Sequence, residues 1–134
     1  KEYFRFSEEQ VFAKAFSLYS NAMRLDPDNF PLAQDIAQSY YGMQPLQTEA
    51  ALQAWTNALR IAHDSMEREG VYIHFARLKL MAGRLAEARA HLAAVTNANY
   101  ADLKGRLLRN LAEKEKGTNA PLPAPPETRT ELRK

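Results

Sequence analysis

Cysteine is absent from this 134-residue chain. That excludes a disulfide framework, a thiolate zinc site and a thiolate nucleophile. Long hydrophobic runs are also missing, and no stretch approaches the roughly 18–20 apolar residues that a bilayer-spanning helix needs. Only five glycines occur, each standing alone. No phosphate-cradling loop, dinucleotide fingerprint or G-x-S-x-G elbow can be built from them. The three histidines, His63, His74 and His91, are 11 and 17 residues apart, which is not a zinc-site spacing, and they read as helix-surface or interface residues. Nucleophile, base and orienting group cannot be assembled from these residue types, so neither an enzyme nor a cofactor is expected.

What remains is a chain of the size and composition of one soluble domain, with 46% apolar and 25% charged residues. Folding at this length buries roughly two-thirds of the unfolded surface, enough for a core without staples. Cytoplasmic and exported locations both stay open. The chain opens on Lys1 rather than Met, and a segment upstream is expected. A net charge of +2 hides a gradient: residues 1–62 sum to −2 and residues 63–134 to +4. The basic excess sits at Lys104, Arg106, Arg109, Lys114 and Lys116, then at Arg129, Arg133 and Lys134. Glutamates interrupt it and no aromatics interleave it, which favours a solvated helix face over nucleic-acid binding.

Helix signals run along the whole chain to residue 117. Ser7 with Gln10 has capping-box spacing. The apolar stripe that follows comprises Phe12, Ala15, Phe16, Tyr19, Ala22, Met23 and Leu25. Asp26-Pro27-Asp28-Asn29 stops this helix, and Asn29 or Asp28 caps a second with Pro31 in its first turn. Thr48 is the expected cap of the third, which carries Ala51, Leu52, Trp55, Ala58, Leu59 and Ala62. Asp64 and Glu67 open a fourth that Gly83 closes at Ala82. A fifth runs from about Leu85, and a sixth spans about Tyr100 to Lys116 with Gly117 as its stop. Four of the seven prolines then fall within residues 121–126. Residues 118–134 therefore read as a Pro-rich, disordered tail or linker.

An internal period ties these helices together. Ala15, Tyr19 and Ala22 stand at offsets 0, 4 and 7. Ala51, Trp55 and Ala58 repeat the pattern 36 residues on, and Ala88, Leu92 and Val95 repeat it 37 residues later. The small residue lets antiparallel helices approach, and the large one fills the groove beside it. With the stretch Asn21 to Asn29, this pattern resembles the tetratricopeptide repeat, a helix-turn-helix unit of about 34 residues. The resemblance covers residues 1 to about 99: a partial repeat over 1–29, full repeats over 30–63 and 64–99, then a capping helix over 100–116. It implies an all-α, right-handed superhelix of antiparallel helix pairs. Three features depart from the family pattern: two extra residues between Gly42 and Thr48, His63 at the repeat-ending proline, and Lys79 at an aromatic position.

The resemblance also implies a protein-interaction or scaffold module that holds a peptide or partner helix on its concave face. The family's inner positions fall on Gln34, Asp35, Gln38 and Tyr41 in one repeat and on Ile73, His74 and Arg77 in the next. Amides can bond a peptide backbone, Tyr41 and Ile73 give apolar contact, and Arg77 can pair with a carboxylate. The positions of the family's two-carboxylate clamp read Phe4, Asp35, Gly70 and His74 here, which argues against a chaperone C-terminus as ligand. Tyr3, Phe4 and Phe6 form an apolar N-terminal edge for which either further helix or self-association is expected. The alternative reading is a structural segment that caps a longer repeat protein or a multi-subunit assembly.

Overall fold

The computed structural model describes residues 7–117. The expectations for Tyr3, Phe4 and Phe6 and for the tail at 118–134 lie outside these residues. Six α-helices follow in order: α1 (Glu8–Leu25), α2 (Phe30–Ser39), α3 (Thr48–Arg60), α4 (Ser65–Met81), α5 (Leu85–Ala93) and α6 (Ala101–Lys116). Short 3-10 turns at Tyr40–Gly42 and Ala98–Tyr100 precede α3 and α6. No strand occurs among the described residues, and the fold is all-α. Nor is any helix there long and apolar enough to cross a membrane.

Most helix limits follow from local chemistry. The Ser7 side chain accepts from the Gln10 amide at 3.0 Å, and Gln10 accepts from the Ser7 amide at 2.9 Å. Asn29 accepts from Leu32 N–H at 3.0 Å, which leaves Pro31 in the first turn, where its missing amide costs nothing. Asp64 accepts from Glu67 N–H at 2.8 Å. Glu67 in turn accepts from the amide of His63 at 2.7 Å, so its carboxylate ties the approach to α4. The expected cap at Thr48 is corrected by one residue. Ala51 N–H bonds the carbonyl of Gln47 at 2.9 Å, so Gln47 holds the cap position without a side-chain bond and Thr48 is already helical.

Gly83 closes α4 with a left-handed φ of 80°. Its N–H donates to Leu80 C=O, and Arg84 N–H donates to Lys79 C=O at 2.8 Å. These are the two bonds of a Schellman turn, which satisfy the carbonyls that a helix end would otherwise leave open. An L side chain at that φ costs about 1–2 kcal/mol. Gly83→Ala is expected to lower stability by that amount in urea unfolding, although a Cβ there meets nothing within 4 Å.

Each helix packs on its successor, and α6 also reaches back to α4. Because the connections are short, successive helices run antiparallel. Two core clusters result, and α4 contributes to both. Val71, Phe75 and Leu78 join Trp55 and the alanines of α2 and α3, whereas Ile73, Ala76 and Leu80 join Leu92, Leu107 and Leu111. The periodic positions lie in the seams: Ala51 and Trp55 are 1% exposed, and Ala58, Ala88 and Leu92 are fully buried. In α1 the same positions are only half-buried. Leu25, expected in the buried stripe, is 85% exposed. Among the described residues α1 packs on α2 and the turn after it, which leaves Leu25 on the far side.

Candidate functional site

The residues expected to face a ligand lie on α2, on the turn after it and on α4, and three of them form a connected group. The Tyr41 hydroxyl and His74 Nδ1 are 3.0 Å apart. The Arg77 guanidinium lies over the Tyr41 ring, 5.9 Å from its centroid. Burial, partly offset by Arg77, pushes the Tyr41 phenol up to about 12. Burial first and the Arg77 charge second push His74 down to about 4. Tyr41 is thus a phenol and His74 a neutral imidazole near neutral pH.

On its other side His74 lies flat against the indole of Trp55, with centroids 3.9 Å apart and planes 8° from parallel. Trp55 is the floor of a hollow of about 340 Å3. Phe30, Pro31 and Gln34 from the first turns of α2 form one wall, and Met66, Glu67, Gly70 and His74 from α4 form the other. Tyr100 and Leu103, at the start of α6, close one end. Tyr100 is held there by its hydroxyl, which donates to the Met66 carbonyl at 3.0 Å. Gly70 permits this approach, since a Cβ at that position would stand 2.8 Å from the Tyr100 oxygen.

The hollow combines apolar walls with a small set of polar groups, the usual make-up of a binding site. Trp55 Nε1 is buried and has no acceptor, and it is the one such side-chain N or O atom among the described residues. A buried donor without a partner costs about 1–3 kcal/mol. The rim is acidic: burial first, then the carboxylates of Glu69, Asp64 and Glu67, raise the pKa of Tyr100. Glu69 also clamps the connection before α6, with Oε1 accepting from the amides of Thr96 and Asn97, each at 2.8 Å. The Asn97 N–H is the main reason its carboxyl lies below the usual range.

Of the residues expected from sequence, Gln34, Ile73 and His74 border the hollow, while Tyr41 and Arg77 continue the surface beyond His74. Asp35 and Gln38 are exposed on α2 and do not line the hollow. Ile73 needs correction as a surface contact. It is 2% exposed and packs in the cluster with Leu92 and Leu107, because α4 is covered by α3, α5 and α6. Sequence reasoning missed Trp55, Met66 and Tyr100 as parts of the site. Trp55 carries a core signal, and no spacing in the sequence marks its N–H as unpaired.

The basic helix α6 offers less. Part of the charge around it is tied into the fold: Lys104 donates to the Val95 carbonyl at 2.7 Å, and Arg89 pairs with Glu115 at 2.6 Å. Arg106 and Arg109 border only a depression formed by the turns of α6 itself. Among the described residues no three His, Asp or Glu side chains are grouped to hold a metal ion. His63 is exposed beside Glu67, and His91 lies against Phe75 with centroids 4.9 Å apart. Compared with known protein families, curated proteins and solved structures, the chain matches none.

Proposed function

We propose that the chain is a helical-repeat module of tetratricopeptide type that binds an extended peptide or partner segment across α2, α4 and the start of α6. The observation that carries this reading is the open hollow floored by Trp55, whose indole N–H lacks an acceptor. An apolar side chain of the bound segment fills the space between Phe30 and Met66, over the Trp55 ring. Gln34 bonds the peptide backbone. Beyond His74, Arg77 on its Tyr41 platform takes a carboxylate or carbonyl further along the segment. The acidic rim selects against an anionic residue at the Tyr100 end. The seam alanines and the 36-residue period support the repeat assignment. No chemical step is part of this reading.

The test uses peptides selected by display on the immobilised protein, with affinities then measured by titration calorimetry. Arg77→Glu and Tyr41→Ala are each expected to weaken binding about tenfold or more, the equivalent of at least about 1.4 kcal/mol, with helicity by circular dichroism unchanged. Equal affinity in mutant and wild type would show that this surface is idle.

A further inference from the structure

Helix α1 carries two adjacent apolar stripes, but among the described residues its main helical neighbour is α2. The first stripe, Phe12, Phe16, Tyr19 and Met23, serves α2 and the turn after it: Phe16 stacks on Tyr40 at 4.8 Å between centroids, and Met23 packs on the core. The second consists of Val11, Ala15, Leu18, Ala22 and Leu25, spaced alternately by four and three residues, which is the seam of a coiled coil. Val11, Leu18 and Leu25 are 52%, 57% and 85% exposed, and they are three of the five large hydrophobics exposed among the described residues. We infer that this second stripe is a self-association surface, on which α1 of a second copy packs antiparallel.

The interior of the molecule shows what such a stripe does. Thirty-six residues on, Ala15, Ala22 and Leu25 become Ala51 and Ala58 of α3 and Ile61 just after it, which are 1%, 0% and 7% exposed where α3 is held between α2 and α4. The α1 stripe continues that interface in register, with one change of shape. Helix α3 offers a run of alanines, with Ala54 between Ala51 and Ala58, whereas α1 has Leu18 at the position of Ala54. A flat alanine ridge suits close approach of a helix like α2, but alternating large and small residues suit a copy of themselves. With two copies related by a two-fold axis, Leu18 of each faces Ala22 of the other and Leu25 faces Ala15, so every leucine enters the space left by an alanine. No charged residue interrupts the stripe.

The other end of the array lacks such a face. Leu107 and Leu111 of α6 are buried, and α6 has no exposed large hydrophobic. Among the described residues head-to-tail stacking therefore has no second apolar surface of this kind, and the pairing is α1 to α1. An 18-residue helix is about 27 Å long and covers less than the roughly 800 Å2 per partner of a standard stable interface. The pair accordingly forms in the micromolar range and dissociates on dilution.

Sedimentation equilibrium of the full chain from low to high micromolar concentration tests this. The weight-average mass is expected to rise from one chain to two. Leu18→Glu, at a site more than half exposed, is expected to hold the mass at one chain with helicity unchanged. Ser20→Glu, on the opposite side of α1, is expected to dimerise like the wild type. A wild type that stays at one chain throughout overturns the inference, as does growth beyond two chains. Dimerisation that survives Leu18→Glu overturns it as well, since another face would then be responsible.

Discussion

Trp55→Ala is expected to lower the unfolding free energy by about 3–5 kcal/mol, the usual cost of emptying a fully buried aromatic site. Trp55 is 1% exposed and joins helices that do not follow one another in the chain: it packs with Phe30 and Ala33 of α2, Ala58 of α3 and Val71 of α4, and it stacks on His74. Urea unfolding followed by circular dichroism gives the value directly; fluorescence cannot, because Trp55 is the one tryptophan. Trp55→Phe should cost much less. It keeps a ring against His74 and removes the N–H that has no acceptor, a group whose loss relieves a desolvation penalty. A loss below about 1 kcal/mol for Trp55→Ala would mean that the seam between α2, α3 and α4 is not close-packed.

Mild acid is expected to weaken the fold before most of its carboxylates titrate. His74 has its pKa depressed from 6.5 to about 4, by burial first and by Arg77 second. The unfolded chain therefore takes up a proton near pH 6.5, which the folded chain refuses until about pH 4. For a depressed histidine the associated stability is fully present above the unfolded pKa. It is lost progressively as pH falls towards the folded value, here by about 3 kcal/mol in total. His91 adds to the loss with the same sign, since burial and then Lys79 lower its pKa. Glu87, held below the carboxylate range by Lys79, extends the trend to lower pH. Urea midpoints measured between pH 6.5 and 4 should fall steeply for the wild type and much less for His74→Phe. A flat wild-type profile would contradict a neutral His74 packed between Tyr41 and Trp55.

Sequence resolved the helices well because their ends are marked by local chemistry. Ser7, Asn29, Asp64 and Gly83 each act within a few residues of themselves, and the structure uses all four. Gln47 carries no such mark, and the cap there was misplaced by one residue. Burial was legible where a helix has two neighbours, as in α3, and misleading where it has one. The periodicity of α1 describes a face wide enough for two partners, so Leu25 looked buried and is not. Helix α4 fails in the opposite sense. With α3, α5 and α6 around it, apolar residues occur on nearly every side, and no period distinguishes Ile73 from an exposed position. At the candidate site, residue types on α2 and α4 drew attention to the two helices that wall the hollow. The closed end of the hollow depends on how Tyr100 folds back onto Met66, 34 residues away, and no local pattern encodes that.

The indole resonance of Trp55 gives the most direct test of the proposed site, because a single tryptophan yields a single indole N–H signal in a 15N spectrum. Addition of a display-selected peptide should shift that signal and slow its exchange with solvent as the hollow over the ring is filled. The amides of Gln34 and Gly70 should shift in the same titration. Peptides that bind tightly yet leave the indole signal and its exchange rate unchanged would contradict the account, and would place the binding surface elsewhere on the molecule.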